Sequence, residues 1–345
     1  NRFSSEGRPS DKSGWYVLND LPHCAIAGAF GCWRTGIKQS WSSVKMSTLS
    51  KEKQRQAKKA INDSIQKAKD ERKVSEEKTS RFAQILWEKA EPAQSSHEYL
   101  SKKKISPLDL RQNRRDGKDV LLVPLRDLDG KLWSLQRIYP DGNKQFLKDG
   151  RSSGLIHTLG EPTPTRIIAE GFSTGASIHE ATGHCVHIAF NCHNLKTVAK
   201  FIRKAHPDTD LVIAADDDWK TEGNPGISKG ADAARSVKAK LAIPTWPENQ
   251  RGKKDTDFND LALSHGPAHI MTCIGRAARP LEEKMPKEDR QTVLNRLSEL
   301  DQIEYDLIRV AKAKKLGIRA STLDNEITKL RGQKASHETP FGRPV

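Results

Sequence analysis

The sequence has little of what marks membrane or secreted proteins. No apolar run in its 345 residues approaches the roughly 20 residues that a membrane-spanning helix needs. No apolar stretch of the signal-peptide type follows the first residues, and five cysteines are too few for a disulfide scaffold. We therefore expect an intracellular, cytoplasmic protein that has no membrane among its partners.

Two common signatures are also missing. The pattern G-x-x-x-x-G-K-[ST] occurs nowhere, so the chain encodes no ATPase of the P-loop type. His23, Cys24 and Cys32 lie close together in sequence, but they form no C-x₂-C pair and have no second ligand pair. We therefore prefer two buried cysteines in a small sheet to a zinc site.

Positive charge is abundant. Lys and Arg number 59 against 44 Asp and Glu, which gives a net charge of +15. Such an excess favours a polyanionic partner, most often nucleic acid. Composition alone leaves open a charge excess that only keeps the protein in solution.

Changes of composition along the chain predict six segments. They are a small Gly- and Trp-rich β module (residues 1–48), a charged helical segment (49–96), a basic antiparallel β module (97–162), an α/β domain (163–278), C-terminal helices (279–333) and a disordered tail (334–345). The α/β domain alternates strand and helix signals, which predicts a mainly parallel, Rossmann-like sheet. Because the chain begins at Asn1, we expect it to be one module of a larger protein.

Several helix bounds follow from composition and periodicity. The segment from Lys51 to Ala90 contains no Gly or Pro and predicts a long helix that docks through Phe82, Leu86 and Trp87. Further helices are predicted over residues 229–241, 289–315 and 322–331. The last two are separated by Gly317 and resemble a helix-turn-helix, although helical hairpins are more common as packing units.

Acidic residues follow two strands of the predicted α/β sheet. Glu170 comes directly after one apolar strand, and Asp216 and Asp218 follow another. Sites in such sheets form beyond the carboxyl ends of the strands, and clustered carboxylates suit Mg²⁺. Side chains two residues apart in extended chain point the same way, so Asp216 and Asp218 can share a metal while Asp217 points elsewhere. The alternative is a solvated acidic turn, which we rate below the metal site.

These residues resemble a known family. The stretch from Glu170 to Gly175, Glu-Gly-Phe-Ser-Thr-Gly, resembles the E-G-Y-A-T-A motif of Toprim-domain primases from conjugative plasmids and satellite phages. Phe172 stands where that motif has Tyr, so a role for the motif hydroxyl does not carry over. The resemblance covers roughly residues 100–265. Residues 300–324 resemble a helical segment that precedes the helicase part of such proteins.

The resemblance implies synthesis of short RNA primers on single-stranded DNA, with Mg²⁺ or Mn²⁺ as cofactor. It implies that Asp216 and Asp218 are metal ligands and that Glu170 is a further ligand or a general acid/base. NTPs and single-stranded DNA would be the substrates, and a replicative helicase, separate or fused, the partner. The alternatives are a Toprim metal-dependent nuclease and a non-catalytic DNA-binding replisome adaptor.

Further positions have two interpretations each. Asp257 and Asp260 complete a second metal site, or Asp257 caps a helix. Lys229 holds a triphosphate at a helix N-terminus, or it is an exposed first-turn lysine. Trp133 and Phe146 are candidates for base stacking, although strand aromatics more often pack in a core. We also expect nucleotide or template contacts from a set of basic and small residues: Arg137, Lys144, Lys148, Gly171 and Asn224.

Overall fold

The computed structural model describes residues 2–4, 14–21, 25–32, 38–43, 50–280, 290–316 and 318–337. The chain divides into two compact units, one ending at Pro280 and the other beginning at Leu281. Each unit is described by itself below. Across the described ranges, every helix is too short or too polar to cross a lipid bilayer.

The first unit opens with an antiparallel sheet. Its strands, in sheet order, are β1 (Arg2–Phe3), β2 (Gly14–Leu21), β3 (Ala25–Cys32) and β4 (Lys38–Ser42). The sequence predicted a small β module here. Cys32 is half-buried and not fully buried as predicted, and the preceding His23 and Cys24 lie outside the described residues.

A long helix follows, α1 (Lys51–Lys89), whose first turn is capped by the Ser50 side chain. Its C-terminal end packs on the second sheet through Ala83, Leu86 and Trp87. The prediction that the helix also docks through Phe82 was wrong, since this side chain is 49% exposed. The docking face passes through position 83 instead, because a small residue there lets the helix approach the sheet closely.

The second sheet is the predicted antiparallel meander. Its elements are β5 (Glu91–Pro92), β6 (Arg111–Arg115), β7 (Lys118–Arg126), β8 (Leu132–Ile138) and β9 (Lys144–Phe146), with α2 (Glu98–Lys103) inserted after β5. Strand β6 escaped prediction because its sequence, Arg-Gln-Asn-Arg-Arg, has no apolar residue. Antiparallel pairing with β7 stabilises this strand, and Arg111 lies opposite Leu122 in the pairing.

The third sheet is mainly parallel, which confirms the predicted fold class. Its strands are β10 (His157–Leu159), β11 (Thr165–Ala169), β12 (Cys185–Ile188), β13 (Asp210–Ala214) and β14 (Lys240–Ala242), in the order β10-β12-β11-β13-β14, and only β10 is antiparallel. The helices are α3 (Phe172–Thr182), α4 (Cys192–Ala205), α5 (Pro225–Ser236), α6 (Phe258–His265) and α7 (Pro267–Gly275).

Alternation along the central strands builds a core on both faces of this sheet. Ile167 and Val212 belong to one apolar cluster, and Ile168 and Ile213 belong to the other. Because β11 and β13 are adjacent and parallel, with Ala169 opposite Ala214, their carboxyl ends meet at one edge. The candidate site lies there.

Helix α5 differs from its prediction at both ends. It begins at Pro225 instead of residue 229, because Asn224 caps it and proline is suited to the first helical position. It ends at Ser236, and Leu241 belongs to strand β14. Lys229 therefore lies in the second turn of α5 and not at its start.

In its described residues, the second unit has three helices, α8 (Arg290–Glu299), α9 (Gln302–Leu316) and α10 (Ala320–His337). The single helix predicted over residues 289–315 was wrong. Asp301 interrupts it, because its side chain accepts a hydrogen bond of 2.8 Å from the backbone N–H of Glu304 and so caps α9. Helix α10 extends to His337, four residues into the predicted tail, and residues 338–345 lie outside the described ranges.

Candidate active site

Glu170 leaves β11 with one carboxylate oxygen unsatisfied. The backbone N–H of Cys192, at the start of α4, donates to the carboxylate, while the other oxygen, Oε2, is buried without a partner. Burial, and then the nearby negative charge of Asp218, raises the pKa of Glu170 to about 7. The side chain can therefore exchange a proton near neutral pH.

Asp216 lies beside Glu170, at the end of β13. The Thr174 hydroxyl of α3 lies 3.5 Å from Asp216 Oδ1 and donates to it. Burial raises the pKa of Asp216 well above its ordinary value, and the charges of Asp257 and Glu170 add to the rise. The site therefore concentrates negative charge that only a cation or bound protons can balance.

Asp218 is held by the first turn of α5. The backbone N–H of Gly226 donates to Asp218 Oδ2 at 3.1 Å. A Cβ at Gly226 would lie 2.2 Å from the carbonyl oxygen of Asp216, so only glycine lets this helix approach the strand end so closely. The positive end of the α5 dipole thereby faces the carboxylates.

Asp217 turns away from its two neighbours, as the alternation predicted. Its carboxylate pairs with Arg251 at 2.6 Å and accepts a hydrogen bond of 2.6 Å from Asn224. The Asn224 side-chain oxygen in turn accepts from Ile227, so this residue serves as a cap and a brace. The nucleotide contact predicted for Asn224 would compete with both bonds.

Arg251 is the residue that sequence reasoning missed. Its guanidinium also donates to the backbone carbonyls of Asp217 and Asp255, and it lies over the rings of Trp219 and Trp246 at 5.2 and 4.4 Å. No spacing signal pointed to it, because 34 residues separate it from Asp217. It ties the loop before α6 to the acidic turn.

Asp257 and Asp260 form a capping box at the start of α6. The Asp257 side chain accepts from the Asp260 backbone N–H at 2.8 Å, and the Asp260 side chain accepts from Asp257. Asp260 also pairs with Lys103 at 3.5 Å. Burial, then the charge of Asp260, raises the pKa of Asp257. The capping interpretation is thus seen directly, and Asp257 still lies within electrostatic reach of Asp216.

Lys144 brings a positive charge from the second sheet to the carboxylates. It lowers the pKa values of Glu170, Asp216 and Asp257 against the stronger effect of burial. Its ammonium lies 3.6 Å from the position that a Cβ would take at Gly171, the N-cap of α3. Lys144 and Gly171 therefore lie beside the carboxylates, and the nucleotide or template contact expected of them stays a prediction.

The other predicted basic residues lie in different surroundings. Lys229 acts electrostatically on Cys192, beside the site. Arg137 is half-buried with Nε unpartnered, and burial and the charge of Arg115 lower its pKa. Lys148 is exposed beside α1, where its carbonyl oxygen accepts a bond from Thr79.

The two aromatic candidates for base stacking also differ. Trp133 packs partly against the core, donates to Asp127 at 2.7 Å, and has the Lys131 ammonium 3.8 Å from its ring centroid. Phe146 is 39% exposed and meets the ring of Phe190 edge-on at 6.1 Å. Phe146 is the more exposed of the two side chains.

The carboxylates at this sheet edge suit a divalent cation, although they do not form a complete set of protein ligands. Among the described residues, no three His, Cys, Asp or Glu side chains already stand as a ligand cluster. Mg²⁺ is usually held by one or two carboxylates together with waters and substrate phosphates. The orphaned Glu170 Oε2 and the repulsion between Asp216 and its acidic neighbours are what such an ion would relieve.

Comparison with known proteins agrees with this geometry. Residues 165–268 match the family model of the Toprim domain. This segment is a Toprim domain. It contains Glu170, Asp216, Asp218 and Asp257, and the resemblance to Toprim primases predicted from the sequence is confirmed.

The similarity extends beyond the Toprim domain. Two proteins of Escherichia coli, both called DNA primase TraC, are 32% identical to the chain over 260 and 251 residues, or 71% and 70% of its length. The chain spans only 24% and 17% of those two proteins. A solved structure of the DnaG primase catalytic domain bound to ssDNA has a TM-score of 0.43 at 12% identity, covering 72% of this chain and 99% of that one.

Proposed function

We propose that the chain is the catalytic part of a DNA primase, which synthesises short RNA primers on single-stranded DNA in the replication of a plasmid, phage or integrated mobile element. The observation that carries the proposal is the meeting of Glu170, Asp216 and Asp218 at one sheet edge inside a Toprim domain, with Lys144 beside them. The 32% identity to the TraC primases supports it.

The reaction joins two nucleotides. The 3′-hydroxyl of one attacks the α-phosphorus of the next; a new P–O bond forms, the bond to the β-phosphate oxygen breaks, and pyrophosphate leaves. The proton of the hydroxyl passes to Glu170, whose pKa of about 7 suits a base at neutral pH.

Asp216 and Asp218 would hold Mg²⁺ or Mn²⁺, with Asp257 facing the same space. When bound, such an ion neutralises charge on the attacking and leaving oxygens. The Asp260 carboxylate already bonds Lys103 and backbone N–H groups. In this proposal Asp260 therefore positions Asp257 through the capping box and does not itself bind the ion.

The residues around the carboxylates bind and orient the nucleic acid. Lys144 attracts triphosphate or template phosphate, and the N-terminus of α5, with Lys229 one turn later, favours anions. Arg137 and Lys148 would supply further phosphate contacts from the second sheet and the segment after it. The partners in this proposal are NTPs, single-stranded DNA and a replicative helicase, fused or separate.

The test incubates the chain with single-stranded DNA, labelled NTPs and Mg²⁺ or Mn²⁺. We expect labelled oligoribonucleotides from the wild type, and none from Asp216→Asn. The matched control is Asp208→Asn, an exposed aspartate two residues before β13, at the opposite end of the strand. Degradation of the template without synthesis would establish the nuclease instead, and DNA binding with neither activity would establish the adaptor.

A further inference from the structure

The C-terminal unit has an apolar core of its own. Buried Val293, Leu294 and Leu297 of α8 meet Tyr305 and Ala313 of α9, together with Leu323 and Ile327 of α10. Three helices around one core form the arrangement in which a helix-turn-helix is commonly built. The proposed primase chemistry uses none of these residues.

The connection between α9 and α10 has the required length. Helix α9 ends at Leu316 and α10 begins at Ala320, so three residues intervene, and the sequence places Gly317 first among them. A three- to four-residue turn that often contains glycine joins the two helices of the DNA-binding motif. Ile318, in this turn, packs against the core and fixes the second helix on the first.

Helix α10 presents a polar, hydrogen-bonding face. Ser321, Asn325, Thr328 and Gly332 are all exposed, and their spacing of four, three and four residues places them on one side of the helix. The buried Leu323 and Ile327 lie on the other side. Asn, Ser and Thr are side chains that read base edges, and the glycine leaves room for close approach.

The acidic residues of α10 are already neutralised. Asp324 accepts from the Tyr305 hydroxyl at 2.9 Å and from Arg309 at 2.5 Å. Glu326 lies 3.4 Å from the Lys329 ammonium. The exposed face therefore carries no unpaired acid that would repel phosphate.

The charge of the unit complements a nucleic acid. Residues 290–337 contain ten Lys and Arg against six Asp and Glu. Arg319, just before α10, is exposed. Basic residues at the edges of a polar helix face are suited to the phosphates on either side of a groove.

From these observations we propose that residues 290–337 form a helix-turn-helix module that binds duplex DNA with α10 in the major groove. The B-DNA major groove, about 12 Å wide, admits one α-helix. This second DNA site is separate from the single-stranded template of the proposed primase, and it stands whether or not that proposal holds.

The experiment measures fluorescence anisotropy of the full chain with a duplex of roughly 20 base pairs, two helical turns. A single strand of the same length serves as the second probe. We expect the double variant Asn325→Ala/Thr328→Ala to bind the duplex about tenfold more weakly, as loss of one good base contact implies. Binding of the single strand should not change. The Arg319→Ala variant should lower the slope of log K against log salt by about 1.

The matched control is Gln291→Ala/Asn295→Ala, which alters an exposed hydrogen-bonded pair on α8 of the same unit. It should bind both probes as the wild type does. Circular dichroism confirms that each variant is folded, which is expected because the altered side chains lie on the surface. Asp216→Asn should keep duplex binding even where primer synthesis is lost, so the two proposals fail separately.

Two results would overturn the proposal. One is equal duplex binding by the wild type and Asn325→Ala/Thr328→Ala. The other is that this variant loses binding to a helicase while its duplex binding is intact, which would make the α10 face a protein-docking surface.

Discussion

Arg251 holds the backbone and the side chain of Asp217 together: its guanidinium donates to the carboxylate at 2.6 Å and to the carbonyl oxygen at 3.0 Å. Asp217 is the residue between Asp216 and Asp218. A side chain outside the Toprim carboxylate set therefore braces the turn that carries the two proposed metal ligands. The loop that carries Arg251 is itself anchored, because the backbone N–H of Asp217 donates to Thr256 at 2.7 Å.

We predict that Arg251→Lys lowers primer synthesis more than it lowers stability. Lysine keeps the charge but cannot bond the carboxylate and two carbonyl oxygens at once. Both partners are partly exposed, so we expect a loss of about 1 kcal/mol of unfolding free energy. Steady-state kinetics and denaturant titration measure the two effects. Arg235→Lys, in a surface pair with Asp232, should change neither, and a wild-type kcat for Arg251→Lys would refute the positioning role.

Glu170 should make stability fall as pH rises. Its pKa is about 7 in the folded chain and near 4.5 when unfolded, so between these values the folded state holds the extra proton. Stability is lost as pH rises from about 4.5 to 7. Glu170→Gln removes this dependence and should exceed the wild type at pH 8 by up to about 3 kcal/mol. Urea titrations at pH 5 and pH 8 measure the difference, with the exposed Glu161→Gln as control.

The same carboxyl should set the acidic limb of the rate profile. If Glu170 accepts the hydroxyl proton, synthesis falls as pH drops below about 7, because the protonated form cannot act as a base. Glu170→Gln should be inactive at every pH. An active Glu170→Gln enzyme with an unchanged profile would remove this residue from the proton transfer.

Mg²⁺ should stabilise the wild type against unfolding. A ligand at 100 times its Kd adds about 2.7 kcal/mol when it binds only the folded state. Thermal denaturation with MgCl₂, against KCl at equal ionic strength, measures the shift. Asp216→Asn should lose it and Asp208→Asn should keep it. A shift that survives in Asp216→Asn would place the ion elsewhere.

Two buried histidines should make the first unit sensitive to acid. Burial lowers the pKa of His157 to about 3 and that of His187 to about 4. Because both values lie below the ordinary 6.5, the unfolded state binds protons first, and stability is lost as pH falls below about 6.5. The stability that is lost between pH 7 and pH 4 should be about 3 kcal/mol smaller in His157→Gln than in the wild type, because the variant has no imidazole to protonate at this position. Chemical denaturation at the two pH values tests this. The prediction is contradicted if the unfolding free energy of the variant falls between pH 7 and pH 4 as much as that of the wild type.

Gly226→Ala should impair the site through the backbone. An added Cβ would meet the Asp216 carbonyl at 2.2 Å, so α5 must withdraw from the strand end. We expect weaker Mg²⁺ stabilisation and little synthesis. The control is Gly183→Ala. Gly183 has a φ of 67°, so alanine there strains the backbone, but its Cβ would meet nothing within 4 Å. This variant should be less stable than the wild type and should keep its stabilisation by Mg²⁺.

The sequence by itself determined the parallel sheet and the acidic strand ends. Strands such as Leu211–Ala214 are continuously apolar because both faces are covered, and the residues that follow must leave the core. A local pattern of this kind needs no knowledge of distant residues, which is why the sequence could place Glu170, Asp216 and Asp218 at one edge of the sheet. The Asp257 alternatives stayed open because a capping aspartate and a metal ligand share one sequence position.

Only the tertiary structure decided which distant residues meet at the site. Lys144 comes from another sheet, and Arg251 comes from a loop with no regular period. The spacing of residues along the chain therefore does not predict that Lys144 lies near Asp216 or that Arg251 bonds Asp217. Strand β6 and the break at Asp301 were missed for the same reason, since each depends on a partner or a cap that overrides composition. Sequence periodicity reports burial along one element; which side chains converge between elements is set by how those elements pack.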